Sequence, residues 1–346
     1  MMSGACCPGV DIHTHVVPEN FPVFAGNGST VAWPSMAAAQ ACHRHVMISG
    51  KVFRTVPDKS WDSGKRIVDM DLLGIERQVL SPMPELLSYW LDAGDAALLT
   101  RHLNETIAGM VHAHPGRFSG LGAVPLQDVG LAIGELEHAV GRLGLAGIEI
   151  GTNVNGAPIG APEFEPFFAA AASLGAAIFI HPLRPCGMER LLGPTLLEQV
   201  LAFPCETGLA AASLLTGGTL ARHPSLRIAL SHGGGSFPAL AARLNHAWNI
   251  FPALQEVMRE APLELARRFY FDSLVYHPEL LRQQIALFGK SQTMIGSDYP
   301  FVIEEKAPRQ RILELGFDAE TQDLLCRGNA LRWLGQPTAN NDWSKK

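Results

Sequence analysis

The sequence predicts an α/β fold: a (β/α)8 TIM-like barrel with a small lobe inserted between its first two strands. Eight short β-branched runs recur along the 346 residues, and longer Ala/Leu-rich stretches with helical spacing separate them. Runs such as AAIFI are apolar at every position, as a strand needs when helices cover one face and a packed barrel interior the other. A barrel of this kind takes roughly 250 residues, with insertions beyond that, so 1–346 reads as a single domain.

The first strand, 10–14 (VDIHT), runs directly into a second histidine at His15. About sixty residues rich in Gly, Pro and β-formers follow before the next strand, too many for a simple βα loop, and they define the lobe over about 20–60. The remaining strands are expected at 76–81 (ERQVLS), 118–124 (FSGLGAV), 146–150 (AGIEI), 177–181 (AIFIH), 227–231 (RIALS), 269–272 (FYFD) and 293–297 (TMIGS). The connection from His181 to Arg227 carries two helical patterns, and Leu240 to Leu265 is a long excursion. The polar end, QPTANNDWSKK, is expected to be loose.

A hydrophobic share of 47% with 17% charged residues fits a well-buried globule. The net charge of -6 gives no electrostatic reason to bind nucleic acid or an anionic membrane, so a small, neutral-to-anionic ligand is the easier fit. No stretch reaches the ~18 apolar residues of a membrane helix and Met1 to Pro8 has no leader pattern, so a cytoplasmic location is expected. The six cysteines lack C-x-x-C spacing and read as free thiols, with Cys6 and Cys7 in a loose segment.

Three H-x-H pairs occur, and local geometry separates them. Residues i and i+2 share a strand face, so His13 and His15 can both point into the barrel mouth. His112 and His114 fall in a helical stretch, where such positions diverge, and are expected at the surface or at a cap; His43 and His45 belong to a hairpin of the lobe. His181, His232 and Asp298 each directly follow a strand pattern. Since the C-terminal strand ends of a barrel converge on one mouth, these five groups are expected to meet, and four of them suffice to ligate one cation. Imidazole and carboxylate donors suit zinc, with manganese or iron compatible, and a ligand position left to water makes such a site catalytic. The residues alone do not separate ligand from acid–base group.

In the stretches DIHTHVVPENFP, KVFRTV, GLGAVPLQD, AGIEIGTN, IFIHP, SHGGGSFP, FYFDS, GSDYPF and GNALRWL the chain resembles the amidohydrolase superfamily, and within it the aminocarboxymuconate semialdehyde decarboxylase group. The resemblance implies that His13, His15, His181 and Asp298 bind one divalent metal ion and that His232, together with Asp298, carries the catalytic proton chemistry at the ion's water. It also implies that Arg54 binds a substrate carboxylate, and that Arg243 is donated into the neighbouring site of a homodimer. Non-oxidative decarboxylation of an unsaturated, muconate-semialdehyde-like acid is the activity it implies; a hydrolase or hydratase of the same superfamily is the alternative. Many barrels of this superfamily bridge two metals with a carbamylated lysine, but no lysine lies between Lys65 and Lys290, which favours a single ion. Glu149 is the one other candidate bridge, against a packed role. Relatives acting on aminocarboxymuconate semialdehyde carry tryptophan after the fifth strand, whereas HPLRPCGMERLLGPTLLEQVL has no aromatic residue, so this wall of the pocket is expected to differ. Arg184, in the same loop, is either a second anionic contact or solvated.

Overall fold

The computed structural model describes residues 7–24 and 31–337; Cys6 and the tail from 338 onward lie outside the described residues. Eight strands form one sheet in chain order: β1 (Gly9–Val16), β2 (Ile75–Pro82), β3 (Phe118–Gly122), β4 (Gly147–Gly151), β5 (Ala177–His181), β6 (Arg227–Leu230), β7 (Tyr270–Asp272) and β8 (Thr293–Met294). All seven neighbouring pairs are parallel. Two isolated parallel bridges, Asp11 to Ile295 and Thr14 to Tyr299, return the last strand to the first. The backbone N–H groups of Ile12 and His15 donate to the carbonyls of Ile295 and Tyr299 at 2.9 and 2.7 Å across this seam.

The helices follow from the same sequence signals. Asp62 caps the helix Ser63–Leu73 by accepting from the Lys65 N–H, and Gly74 ends it in the left-handed region at φ 66°. Between β5 and β6 stand the helices Phe203–Thr216 and Thr219–Arg222, and the excursion between β6 and β7 holds Phe237–Ile250, Pro252–Val257 and Pro262–Ala266. His112 is exposed on the helix Ala93–Ala113, and His114 is its C-cap. No helix among the described residues is long and apolar enough to cross a membrane. Cys42, Cys186, Cys205 and Cys326 are free thiols.

Between β1 and β2, the segments Pro34–Ala38, His43–Ile48 and Lys51–Pro57 form a three-stranded antiparallel sheet. His45 is used within it, its ring nitrogen Nδ1 lying 2.9 Å from the Thr55 hydroxyl. The same sheet carries Arg54, opposite Val46.

Two hydrophobic cores hold the barrel. One lies between sheet and helices; the other fills the interior with Val10, Ile12, Val79, Phe179 and Met294, and Trp333 buries its ring in this cluster. The Trp333 indole N–H donates to the Arg227 carbonyl at 3.1 Å, which satisfies its polar atom. Trp333→Ala should therefore cost about 3–5 kcal/mol, read as a lowered urea midpoint. A loss within about 1 kcal/mol would show that this end of the barrel collapses to refill the space.

Candidate metal centre

Strand pleating puts His13 and His15 on the same face of β1, and β5 and the segment after β8 bring His181 and Asp298 to them. One ligand atom from each of the four lies within 4.8 Å of all the others, and all four residues are buried. The second ring nitrogens are already engaged. His13 Nδ1 lies 2.7 Å from Asp272 Oδ2, His15 Nδ1 3.1 Å from the Pro82 carbonyl, and His181 Nδ1 3.0 Å from the Pro182 carbonyl. Each acceptor engages Nδ1 and turns Nε2 inward, the arrangement that presents imidazole to a cation.

The inward-facing atoms fit such a cation. His13 Nε2 and His15 Nε2 approach to 3.2 Å, and His15 Nε2 lies 3.0 Å from Asp298 Oδ1. His181 Nε2 is buried without any hydrogen-bond partner among the described residues. Crowding these buried nitrogens and a carboxylate oxygen together is costly where an acceptor stays unpaired, and a divalent ion removes that cost.

Asp272, at the end of β7, was not among the residues singled out from sequence. Its carboxylate accepts from the His13 ring and from the backbone N–H groups of His232, Gly233 and Leu274 at 2.9, 2.7 and 3.1 Å. An acidic residue closing the FYFD run was the available signal. Arg66 was missed as well. Fully buried, it donates to the carbonyls of Lys59 and His15 and to Gln78 Oε1, and stands 5.0 Å from the Tyr299 ring.

The electrostatics follow from burial and these partners. Burial alone would discharge His13, but the Asp272 hydrogen bond and the charge of Asp298 outweigh it and raise the imidazole to about 9. Burial dominates at His15 and His181, and lowers both. Burial, with His13 second, brings His232 to about 4, so its resting form is neutral. Burial would raise Asp298, yet the His15 hydrogen bond and the neighbouring imidazoles hold it at about 2.

His232 and Asp298 both take positive φ, at 54° and 67°, rare for residues with a Cβ. Asp272 fixes the first through its N–H; the second donates its own N–H to the His13 carbonyl at 2.9 Å. After His232, Gly235 passes so close to the Pro204 carbonyl that a Cβ would sit 1.9 Å from its oxygen.

A cavity of about 730 Å³ opens over the cluster, lined by His181, His232, Asp298, Arg54 and Phe301 among others. Arg54 lies half-buried in it, its guanidinium carbon 4.4 Å from the Phe301 ring, with no hydrogen-bond or ion-pair partner among the described residues. Arg243 is elsewhere: it is exposed on the helix Phe237–Ile250 and does not line this cavity. Glu149 is fully buried with both oxygens unpartnered, is raised by burial to about 8, and is not among the four clustered donors.

A closed parallel barrel that gathers three imidazoles and a carboxylate at its C-terminal rim defines a metal-dependent barrel enzyme. The chain belongs to the amidohydrolase family, whose model matches residues 10–336. It is 38% identical to 2-amino-3-carboxymuconate-6-semialdehyde decarboxylase of Dictyostelium discoideum over 328 residues, 94% of this chain and 91% of that protein. Among solved structures, 2,6-dihydroxybenzoate decarboxylase complexed with 2,6-dihydroxybenzoate matches with a TM-score of 0.70 at 26% identity, over 78% of this chain and 87% of that one. Metarhizium anisopliae IDCase in apo form shares the fold, with a TM-score of 0.80 at 22% identity, over 97% and 99% of the two chains. On these relationships the chain is a metal-dependent decarboxylase, a carbon–carbon lyase.

An imidazole raised to about 9 is protonated at neutral pH, so a cation must displace a proton from His13. Titrating metal-free protein with zinc at about pH 7 should release about one proton per ion, read from calorimetry in buffers of different ionisation enthalpy. Asp272→Asn should abolish this release and weaken metal binding by about 10–100-fold. Metal binding without proton release in the unchanged protein would mean that His13 is already neutral there.

Proposed function

We propose that this chain is a cytoplasmic, homodimeric decarboxylase that removes carbon dioxide non-oxidatively from an unsaturated acid of the muconate-semialdehyde type, using one divalent ion. Zinc is the ion of choice for three imidazole nitrogens and one carboxylate oxygen, with manganese or iron compatible. One observation carries the reading: the unpartnered Arg54 guanidinium shares a cavity with the His/Asp cluster. A planar cation left open in a half-buried site is built for a two-point grip on a carboxylate. The hydrolase or hydratase alternative gains no support, because the relatives that carry the comparison are decarboxylases.

His13, His15, His181 and Asp298 would hold the ion, which supplies Lewis-acid stabilisation of negative charge next to the substrate. Arg54 holds the carboxylate that is to leave. His232 lines the cavity with Nδ1 3.2 Å from the Ser231 hydroxyl, which leaves Nε2 to take up one proton from solvent and pass it on, with Asp298 beside it as the carboxylate partner. That proton goes to the carbon bearing the carboxylate. The bond to the carboxyl carbon then breaks, its electron pair returns to the unsaturated system, and carbon dioxide departs with hydrogen in its place. Positioning and preorganised charge supply most of the acceleration.

The partner subunit's Arg243 completes the grip in this reading. Its helix exposes Leu240 and Ile250, and Phe251 and Leu209 are exposed as well, an apolar surface suited to a second copy of the chain.

His232→Ala should keep the metal while carbon dioxide release falls by about 10²–10⁴. His181→Ala should lose both, and equal metal loss in the two variants would refute this division of roles. Mixing Arg243→Ala subunits with Asp298→Ala subunits should restore part of the activity that each lacks alone. No recovery would place Arg243 outside the site.

A further inference from the structure

The segment after β5 supplies part of the cavity wall with Thr195, Leu196, Glu198, Gln199 and Val200. Its two cationic and acidic partners are arranged unequally. Arg184 donates to Glu85 Oε1 at 3.1 Å and stacks its guanidinium carbon 3.2 Å from the centroid of a Trp90 ring, so its charge is used within the wall and Glu85 is neutralised. Glu198 has no such partner. It lies half-buried in the turn Glu198–Ala202 that leads into the helix Phe203–Thr216, and its carboxylate makes no hydrogen bond or ion pair among the described residues. Arg54 lines the same cavity against the Phe301 ring, makes no hydrogen bond or ion pair among the described residues, and no ion pair joins the two. Burial raises the Glu198 carboxyl while Arg54 and then Arg184 pull it back, so both guanidiniums are felt at that position.

A cation and an anion that share one cavity without touching call for a ligand with complementary ends. We propose that Glu198 is a specificity-determining residue: the substrate carries a hydrogen-bond-donating group, an amine or a hydroxyl, which Glu198 accepts while Arg54 holds the carboxylate. The proposal rests on the carboxylate-substrate reading above and adds the second functional group. An open carboxylate that receives a donor gains a charge-assisted bond, whereas a second carboxylate at that position meets like charge and a ligand without a donor leaves Glu198 desolvated and unpaired. Glu198 and Gln199 thus give a polar, acidic wall where the sequence has no aromatic residue.

The test is calorimetric binding of benzoate, 2-aminobenzoate and phthalate to the metal-loaded protein and to its Glu198→Leu and Glu198→Gln variants, checked for equal metal content. The unchanged protein should bind 2-aminobenzoate about tenfold more tightly than benzoate, with phthalate weakest. Glu198→Leu should remove that preference and leave benzoate within about twofold, and Glu198→Gln should admit phthalate about tenfold more tightly. A preference that survives Glu198→Leu, or a change common to all three acids in both variants, overturns the assignment. Failure of all three acids to bind the unchanged protein would overturn the carboxylate reading itself, and this proposal with it, whereas equal binding of all three overturns only the role of Glu198.

Discussion

The Asp272 carboxylate is the constraint on which the rim depends. Four N–H groups converge on it: the His13 ring and the backbones of His232, Gly233 and Leu274. Burial would favour its neutral form, yet the hydrogen bond from His13 keeps it below the usual carboxylate range. It thereby orients one imidazole of the cluster and fixes the backbone of the histidine beside it. A single buried charge ties β1, β6 and β7 together where the chemistry takes place.

Around that anchor the rim holds energetically unfavourable conformations that only the surrounding structure can maintain. His232 and Asp298 both sit at positive φ, and both have their N–H groups held by acceptors from other strands. Arg66 acts from outside the barrel in a similar way, gripping the His15 carbonyl while its own charge is dispersed over Lys59 O, Gln78 and the Tyr299 ring. Such restraints keep the side chains in place before any ligand arrives, which is what electrostatic preorganisation requires.

Much of this was legible in the sequence because strand pleating and barrel topology are simple rules. The i, i+2 spacing of His13 and His15 fixed a common face, and strand ends at His181, His232 and Asp298 fixed a common mouth. The eight strands fall where the β-branched runs lie, with β8 shortened to Thr293–Met294. Asp272 escaped notice because an acid ending a strand has many structural uses, and nothing local records that the backbone N–H groups of His232 and Gly233, some forty residues away, will converge on it. Arg66 is one of several charged residues on its helix, and its burial depends on acceptors from Lys59, His15 and Gln78 that only the fold brings to it. Glu198 opens a single helical turn, too short for periodicity to tell which side chain turns toward the cavity.

The way the barrel closes carries a further consequence. β8 spans only two residues, and the return to β1 consists of two isolated bridges, whereas β1 and β2 share a long ladder. Asp298 follows the short side of this join and His13 and His15 lie on the long side. An ion gripped from both sides would act as a clasp on a bracelet, so that cofactor capture and completion of the ring become one equilibrium. Loss of the ion would then loosen this edge before the rest of the cylinder, and the chain's resistance to local opening would track metal supply.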